Sequence, residues 1–342
     1  MKCSKTNLML FLVLTYSAFQ CIAKNPPSDQ EKPIAFKKGI NKSKYANDQI
    51  YFWYVPSKVA DNPSKAKDIV AIIHGYTGQA NGSSGINITL ENLKRFTVYA
   101  DSTNSILVAP HFNESVFGSD YQRLNLNRER LNARGEPLDI PGERSDIRLI
   151  KLIQLLQEHF PNINDKKIKL FGFSGGGQFV HRFCAFHPHR IDKAIIGGAG
   201  WYMWPNDDIE YPLGFNLSTF SNVEEVINAK SFVQCDMLVL IGDEDKTQGS
   251  FRTELKNYDL DIVYNLNKMQ GNTRVQRAYK WVATLKEYAA QIGVKTEDVK
   301  VKVETVKNVP HRTPDEFMRV AFNYLAGRKI VIFEYLEKRN RG

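Results

Sequence analysis

Cysteine is scarce in this chain, with four residues in 342. That is too few for a disulfide-built scaffold, and no paired-Cys spacing offers a zinc module. Proline, at 14, and glycine, at 22, are too sparse for a collagen-like or disordered chain. The apolar run near the start, from Leu8 to Phe19, is short of the roughly 20 residues that cross a bilayer as a helix. No stable membrane insertion is expected. The formal charge is +9, yet Lys and Arg are scattered, without blocks or aromatic interleaving, so no nucleic-acid partner is expected. What remains is ordinary globular composition, 42% hydrophobic and 24% charged, enough to bury a large core without staples.

The first 23 residues carry Lys2 and Lys5, then the apolar run, then Cys21-Ile22-Ala23. A basic start, a short apolar middle and a small-residue exit are the anatomy of a secretory signal, so the mature protein is expected outside the cytoplasm. Cys21 raises lipid anchoring, but Gln20 stands where that pathway wants a small residue, and no anchor is expected. Cleavage after Ala23 leaves Cys184 and Cys235, which are either bonded or buried as free thiols. Residues 24–49, rich in Lys, Asn and Pro, read as a surface arm. Asn-x-Ser/Thr triplets at Asn41, Asn81, Asn87, Asn113 and Asn216 matter only in a eukaryotic secretory route.

From residue 50 a strand–helix grammar sets in. Tyr51–Val55 is aromatic and β-branched; 68–73, 105–110, 168–172, 193–197 and 236–242 are continuous apolar runs, as fully buried parallel strands should be. Val299–Val306 alternates as a half-covered strand does. Helical spacing marks 145–160, 178–186, 271–293 and 313–325, the last expected to be capped by Thr313. Residues 113–143 read as a long loop, and 201–233 as a short insertion of turns with one helical piece at 223–230. The expectation is one α/β domain over 50–329, a mostly parallel sheet with helices on both faces, and a tail at 330–342.

The sharpest motif is Gly172-Phe173-Ser174-Gly175-Gly176, a G-x-S-x-G between a strand and a helix. A serine on that tight turn has its hydroxyl thrust above the sheet, with helix-start amides beneath it. It needs a base, and the base needs an orienting acid. Of the histidines after Ser174, 181, 187 and 189 lie on or just past the following helix, which leaves His311, at the opening of the last helix, as the base. Read as a metal cluster, the three helix histidines lack carboxylate partners, so no metal is expected. The acid should follow the strand that ends at Gly242. Asp243 and Asp245 compete there, and Asp245 is favoured because three residues past the glycine the chain has turned back over the sheet. Oxyanion donors are expected from the Gly175 amide and from the loop His74-Gly75-Tyr76, through the Tyr76 amide. His74 reads as a brace for that loop. Trp201, Tyr202 and Trp204 either line a substrate pocket or pack their loop onto the core.

His-Gly after one strand, G-x-S-x-G after another, Asp after a third and His before the last helix resemble the α/β-hydrolase superfamily over about residues 50–326. The stretch Gly172–Phe183 with His187-Pro188, then Gly200-Trp201 and Tyr211-Pro-Leu-Gly214, is similar to secreted esterases near the polyhydroxyalkanoate depolymerases and feruloyl esterases. The resemblance implies an α/β-hydrolase fold with an eight-stranded sheet. It also implies ester hydrolysis through an acyl-serine, with nucleophile, acid and base on Ser174, Asp245 and His311 and no cofactor. One departure is Val309-Pro310 before His311, where such proteins often have Gly. The expected substrate is a small or polymer-attached ester with a short or aromatic acyl group. A peptidase or amidase on the same fold, or a non-catalytic binding protein, are the alternatives.

Overall fold

The computed structural model describes residues 36–330, except 46–48, 77–82, 114–116, 127–143, 164–166, 219–226, 247–264 and 266–267. The expected signal segment, the first part of the expected arm and the tail beyond Ile330 therefore lie outside the described residues.

Five apolar runs become five buried strands: β3 (Ile69–Ile73), β4 (Ile106–Pro110), β5 (Ile168–Phe173), β6 (Ile191–Gly197) and β7 (Met237–Gly242). Every residue of β3, β4 and β7 is buried, which is why these segments carry no polar alternation. With β1 (Gly39–Tyr45), β2 (Gln49–Val55) and β8 (Lys302–Val306) they form one eight-stranded sheet in the order β1-β2-β4-β3-β5-β6-β7-β8. β1–β2 and β2–β4 are antiparallel; every other pair is parallel.

β1 corrects the expectation of an arm over 24–49. It sits at the sheet edge, Ile40, Lys42 and Lys44 are exposed, and none of residues 39–44 is fully buried. An edge strand gains its stability from ladder hydrogen bonds and needs no apolar run, and lysines keep its free side from pairing with another chain.

Helices flank the sheet, among them α1 (Ser83–Thr103), α2 (Ser145–His159), α3 (Gly175–Phe186), α4 (Ala229–Val233), α5 (Arg274–Gln291) and α6 (Asp315–Leu325). On one sheet face Leu93, Phe96 and Ala100 of α1 and Phe317, Val320 and Ala321 of α6 pack with Val70, Ile72, Leu107, Phe171 and Leu238 in a single core cluster. Alternate strand residues such as Ala71, Val108, Leu170 and Val239 are equally buried on the other face, where α3 packs on β5 and β6 and α5 on β7 and β8. The sheet is thus covered on both sides. The expected helix 223–230 starts later, at Ala229, and its first residues fall among those not described.

Thr313 does not cap α6. Pro314 is the N-cap residue, without a side-chain bond, while the Thr313 hydroxyl and carbonyl both accept from the Arg95 guanidinium of α1, the hydroxyl at 2.5 Å. Asp315 and Glu316 occupy the first turn of α6, where they oppose the positive end of the helix dipole.

Candidate active site

Ser174 stands between β5 and α3 with φ 56° and ψ −116°, a backbone conformation a non-glycine residue adopts only when its surroundings hold it there. They do: its amide donates to Gly197 O at 2.8 Å, and its carbonyl accepts from Gln178 N at 3.1 Å. Two glycines make the turn possible. A Cβ on Gly172 would lie 2.2 Å from Gly176 O, and one on Gly176 would lie 2.3 Å from Ile73 O and 2.8 Å from His74 O. Because those contacts are backbone, relief requires α3 to move off β3. Gly176→Ala is therefore expected to lower unfolding free energy by about 3 kcal/mol, read from urea denaturation. An unchanged midpoint would show that this packing is looser than described.

The structure brings Ser174, His311 and Asp245 together. His311 Nε2 lies 3.1 Å from Ser174 Oγ, and His311 Nδ1 lies 2.6 Å from Asp245 Oδ2. Asp245 is 1% exposed, and its other oxygen accepts from Arg274 Nη1 at 3.3 Å. Asp243 acts through its backbone: its amide donates to Val306 O, and the Glu244 amide to Val309 O, which laces the loop that carries the acid to the loop that carries His311. Gly242 permits that lacing, since a Cβ there would meet Val309 O at 2.0 Å. Val309-Pro310 thus takes the place of a glycine before His311 while its carbonyl holds the acid loop. Phe173 packs on the imidazole, ring centroids 4.8 Å apart.

The loop after β3 reaches the same point. A Cβ on Gly75 would lie 3.5 Å from Ser174 Cβ, and one on Gly175 would lie 2.8 Å from Tyr76 N, so the Tyr76 amide and the start of α3 converge beside the hydroxyl. His74 braces this loop. Its Nδ1 donates to Gly75 O at 2.7 Å, and its Nε2 accepts from Phe112 N at 3.0 Å. His181 repeats the pattern, with Nδ1 to Gly177 O at 3.1 Å and Nε2 accepting from Met203 N at 2.9 Å.

Each ring is held neutral, since a proton on Nε2 would abolish an accepted bond. Burial lowers His74 to about 4, lowers the neighbouring His111 to about 4, and pushes His181 well below its ordinary value. Between pH 6.5 and 4 the unfolded chain therefore binds more protons than the folded one, and stability falls as pH falls. The expected loss is about 3 kcal/mol from His74 alone on going from pH 7 to 4. Urea melts across that range check it: His74→Gln should flatten the pH dependence by close to one proton, and an unaltered slope would contradict the account.

The remaining histidines do not converge on a metal: His187 Nε2 pairs with buried Asp146 at 2.7 Å, and His189 is exposed. Among the described residues no three His, Cys, Asp or Glu side chains are grouped to hold an ion. Cys184 and Cys235 are free thiols, both buried, and burial pushes Cys235 up to about 12.

At two of the three aromatic positions the structure shows the core alternative. Tyr202 is fully buried, stacked on Trp281 with centroids 4.9 Å apart, and its backbone is clamped by the Gln270 amide. Trp204 is 6% exposed, its amide bonded to Leu213 O. Only Trp201 remains partly open, with the Arg277 guanidinium 3.6 Å over its ring. The loop is folded inward because its polar backbone finds partners there. The cleft that opens at Ser174 and His311 instead lies toward α1. Its volume is 260 Å³, and Tyr76, Asn92, Arg95, Phe171, Phe173 and Met318 are among its walls. Sequence reasoning missed Arg95, Arg274 and Gln270, whose contacts join residues 29 to 218 positions apart.

The order of the sheet, with the serine on the turn after its fifth strand, the acid loop after β7 and the histidine after β8, is that of the α/β-hydrolase fold. No family model matches the sequence, and no curated protein matches it. Solved structures do match. A poly(3-hydroxybutyrate) depolymerase from Bordetella parapertussis aligns with TM-score 0.63 and 20% identity over 85% of this chain and 92% of its own. Poly(aspartic acid) hydrolase-1 from Sphingomonas sp. KT-1 aligns with TM-score 0.59 and 20% identity over 81% and 94%. The chain has the α/β-hydrolase fold.

Proposed function

We propose that this protein is a serine hydrolase of carboxylic esters, and the observation that carries this reading is the continuous Ser174–His311–Asp245 hydrogen-bonded line. Ser174 Oγ attacks the ester carbonyl while His311 Nε2 takes its proton. Asp245, kept dry and paired to Arg274, holds Nδ1–H and stabilises the imidazolium. The Tyr76 and Gly175 amides receive the charge that develops on the carbonyl oxygen. His311 then protonates the departing alkoxide. Water, activated by the same imidazole, hydrolyses the acyl-serine and restores the site. No step asks for a metal or an organic cofactor.

Substrate size follows from the cleft and from the lack of a lid among the described residues nearby in the chain. Residues 199–215 are mostly buried, and nothing in their described part forms amphipathic helices that could slide as a lid. A 260 Å³ cleft suits a short or aromatic acyl group. The matched structures are named as hydrolases of polymers, and a polymer-attached ester is within this reading. The Met1–Ala23 pattern supports action outside the cytoplasm.

The test is a panel of nitrophenyl esters from two to sixteen acyl carbons, run below and above micelle formation, with matched aminoacyl amides alongside. Turnover should be greatest on short or aromatic esters, decay with chain length, and show no jump at the micellar threshold. Faster cleavage of the amides would instead make the protein an amidase, and no turnover of any ester would overturn the reading.

A further inference from the structure

The cleft beside Ser174 has one charged wall. Ile88, Asn92 and Arg95 follow one another at i, i+4 and i+7 on α1, so a single face of that helix overlooks the cleft, opposite Phe171, Phe173 and Met318. Apart from the His311 imidazole, Arg95 is the one ionisable cation among the described lining residues, and no carboxylate lines the cleft among them.

The guanidinium is also fixed in place. Nη1 donates to the Thr313 hydroxyl at 2.5 Å and Nη2 to the Thr313 carbonyl, which orients the planar fork while leaving it half-buried at the cleft wall. Asp315 attracts it electrostatically from beyond Thr313. A cation held this way has already lost its side-chain freedom and part of its water, so an anion that reaches it loses little more on binding.

Building on the serine-esterase reading, we propose that the acyl group this site takes carries a carboxylate at its far end, bound by Arg95 with Asn92 beside it while Ser174 attacks the ester carbonyl. The substrate class is half-esters of dicarboxylic acids, free or as polymer ends. Arg95 is then a specificity residue, and its bond to Thr313, two residues past His311, is what sets it within reach of an acyl chain on Ser174.

The experiment compares kcat/KM for monoethyl adipate, ethyl hexanoate and ethyl 6-aminohexanoate, three esters of equal acyl length, by pH-stat at low salt. The wild-type protein should prefer the anionic ester over the neutral one by about tenfold or more. That preference should shrink in 0.5 M salt as charges are screened. Arg95→Gln should bring the ratio close to one, and Arg95→Glu should favour the aminohexanoate. Since Arg95 also ties down the His311 loop, its variants can slow every ester, and the ratio rather than the rate is the readout. Thr313→Val, which weakens the tie but keeps the cation, should retain the preference even where rates fall. A wild-type ratio near one, or a ratio untouched by Arg95→Gln while neutral esters still turn over, overturns this proposal alone. Absence of turnover on all three esters overturns the esterase reading, and this proposal with it.

Discussion

Ser174→Ala is expected to lower kcat on short nitrophenyl esters by on the order of 10⁶-fold, with His311→Ala costing nearly as much and the double variant scarcely more than either. The reason is that the two side chains form one functional unit. The hydroxyl, 3.1 Å from His311 Nε2, becomes an effective nucleophile only as its proton leaves for that nitrogen, and without the hydroxyl the imidazole has no acyl-serine on which to activate water. The fold should tolerate the change, because the turn is held by the Ser174 backbone bonds to Gly197 and Gln178 and by the glycines around it, none of which involves Oγ. Single-turnover and steady-state kinetics on the three variants, with melts to verify folding, check this. Additive losses would mean that serine and histidine act in separate steps.

Asp245→Asn is the second large effect, expected to lower kcat by about 10⁴-fold with a small change in KM. Asparagine has nearly the shape of aspartate, but its amide group in place of Oδ2 would force His311 into the tautomer with the proton on Nε2, aimed at the serine instead of open to it. It would also leave Arg274 facing a neutral group where it now meets a buried carboxylate. Asp243→Asn is the internal control. Asp243 makes its described bond through its backbone amide to Val306 O, so activity should stay within a few-fold of wild type. If the two variants exchanged phenotypes, the acid would be Asp243.

The sheet was readable because burial on both faces writes strands as uninterrupted apolar runs, and β3, β4 and β7 are buried at every position. Where an element is only partly buried the signal fades. β1 is an edge strand whose exposed positions include two lysines, and its sequence looks like an arm. α1 went unassigned although Ile86, Leu90, Leu93, Phe96 and Ala100 recur every three or four residues, because glycine, asparagine and threonine dilute the stripe in its first turns.

The candidate triad was legible for a different reason: each member sits on the turn just past a strand, and strand ends can be located from sequence. What orders those turns could not be read. Arg274 reaches Asp245 from the start of α5, Arg95 reaches Thr313 from α1, and Gln270 clamps Tyr202 from a loop. Each pairing depends on how helices lie on the sheet. The inward fate of Tyr202 and Trp204 belongs here too, since an aromatic after a strand reads alike whether it rims a cleft or plugs a core.

The most direct test of the central claim is covalent. Treated with a fluorophosphonate probe, the folded protein should take up one probe per chain, lose ester turnover in proportion, and yield on digestion a single modified peptide with the adduct on Ser174. Modification at another residue, or ester hydrolysis that persists after complete labelling, would contradict the account.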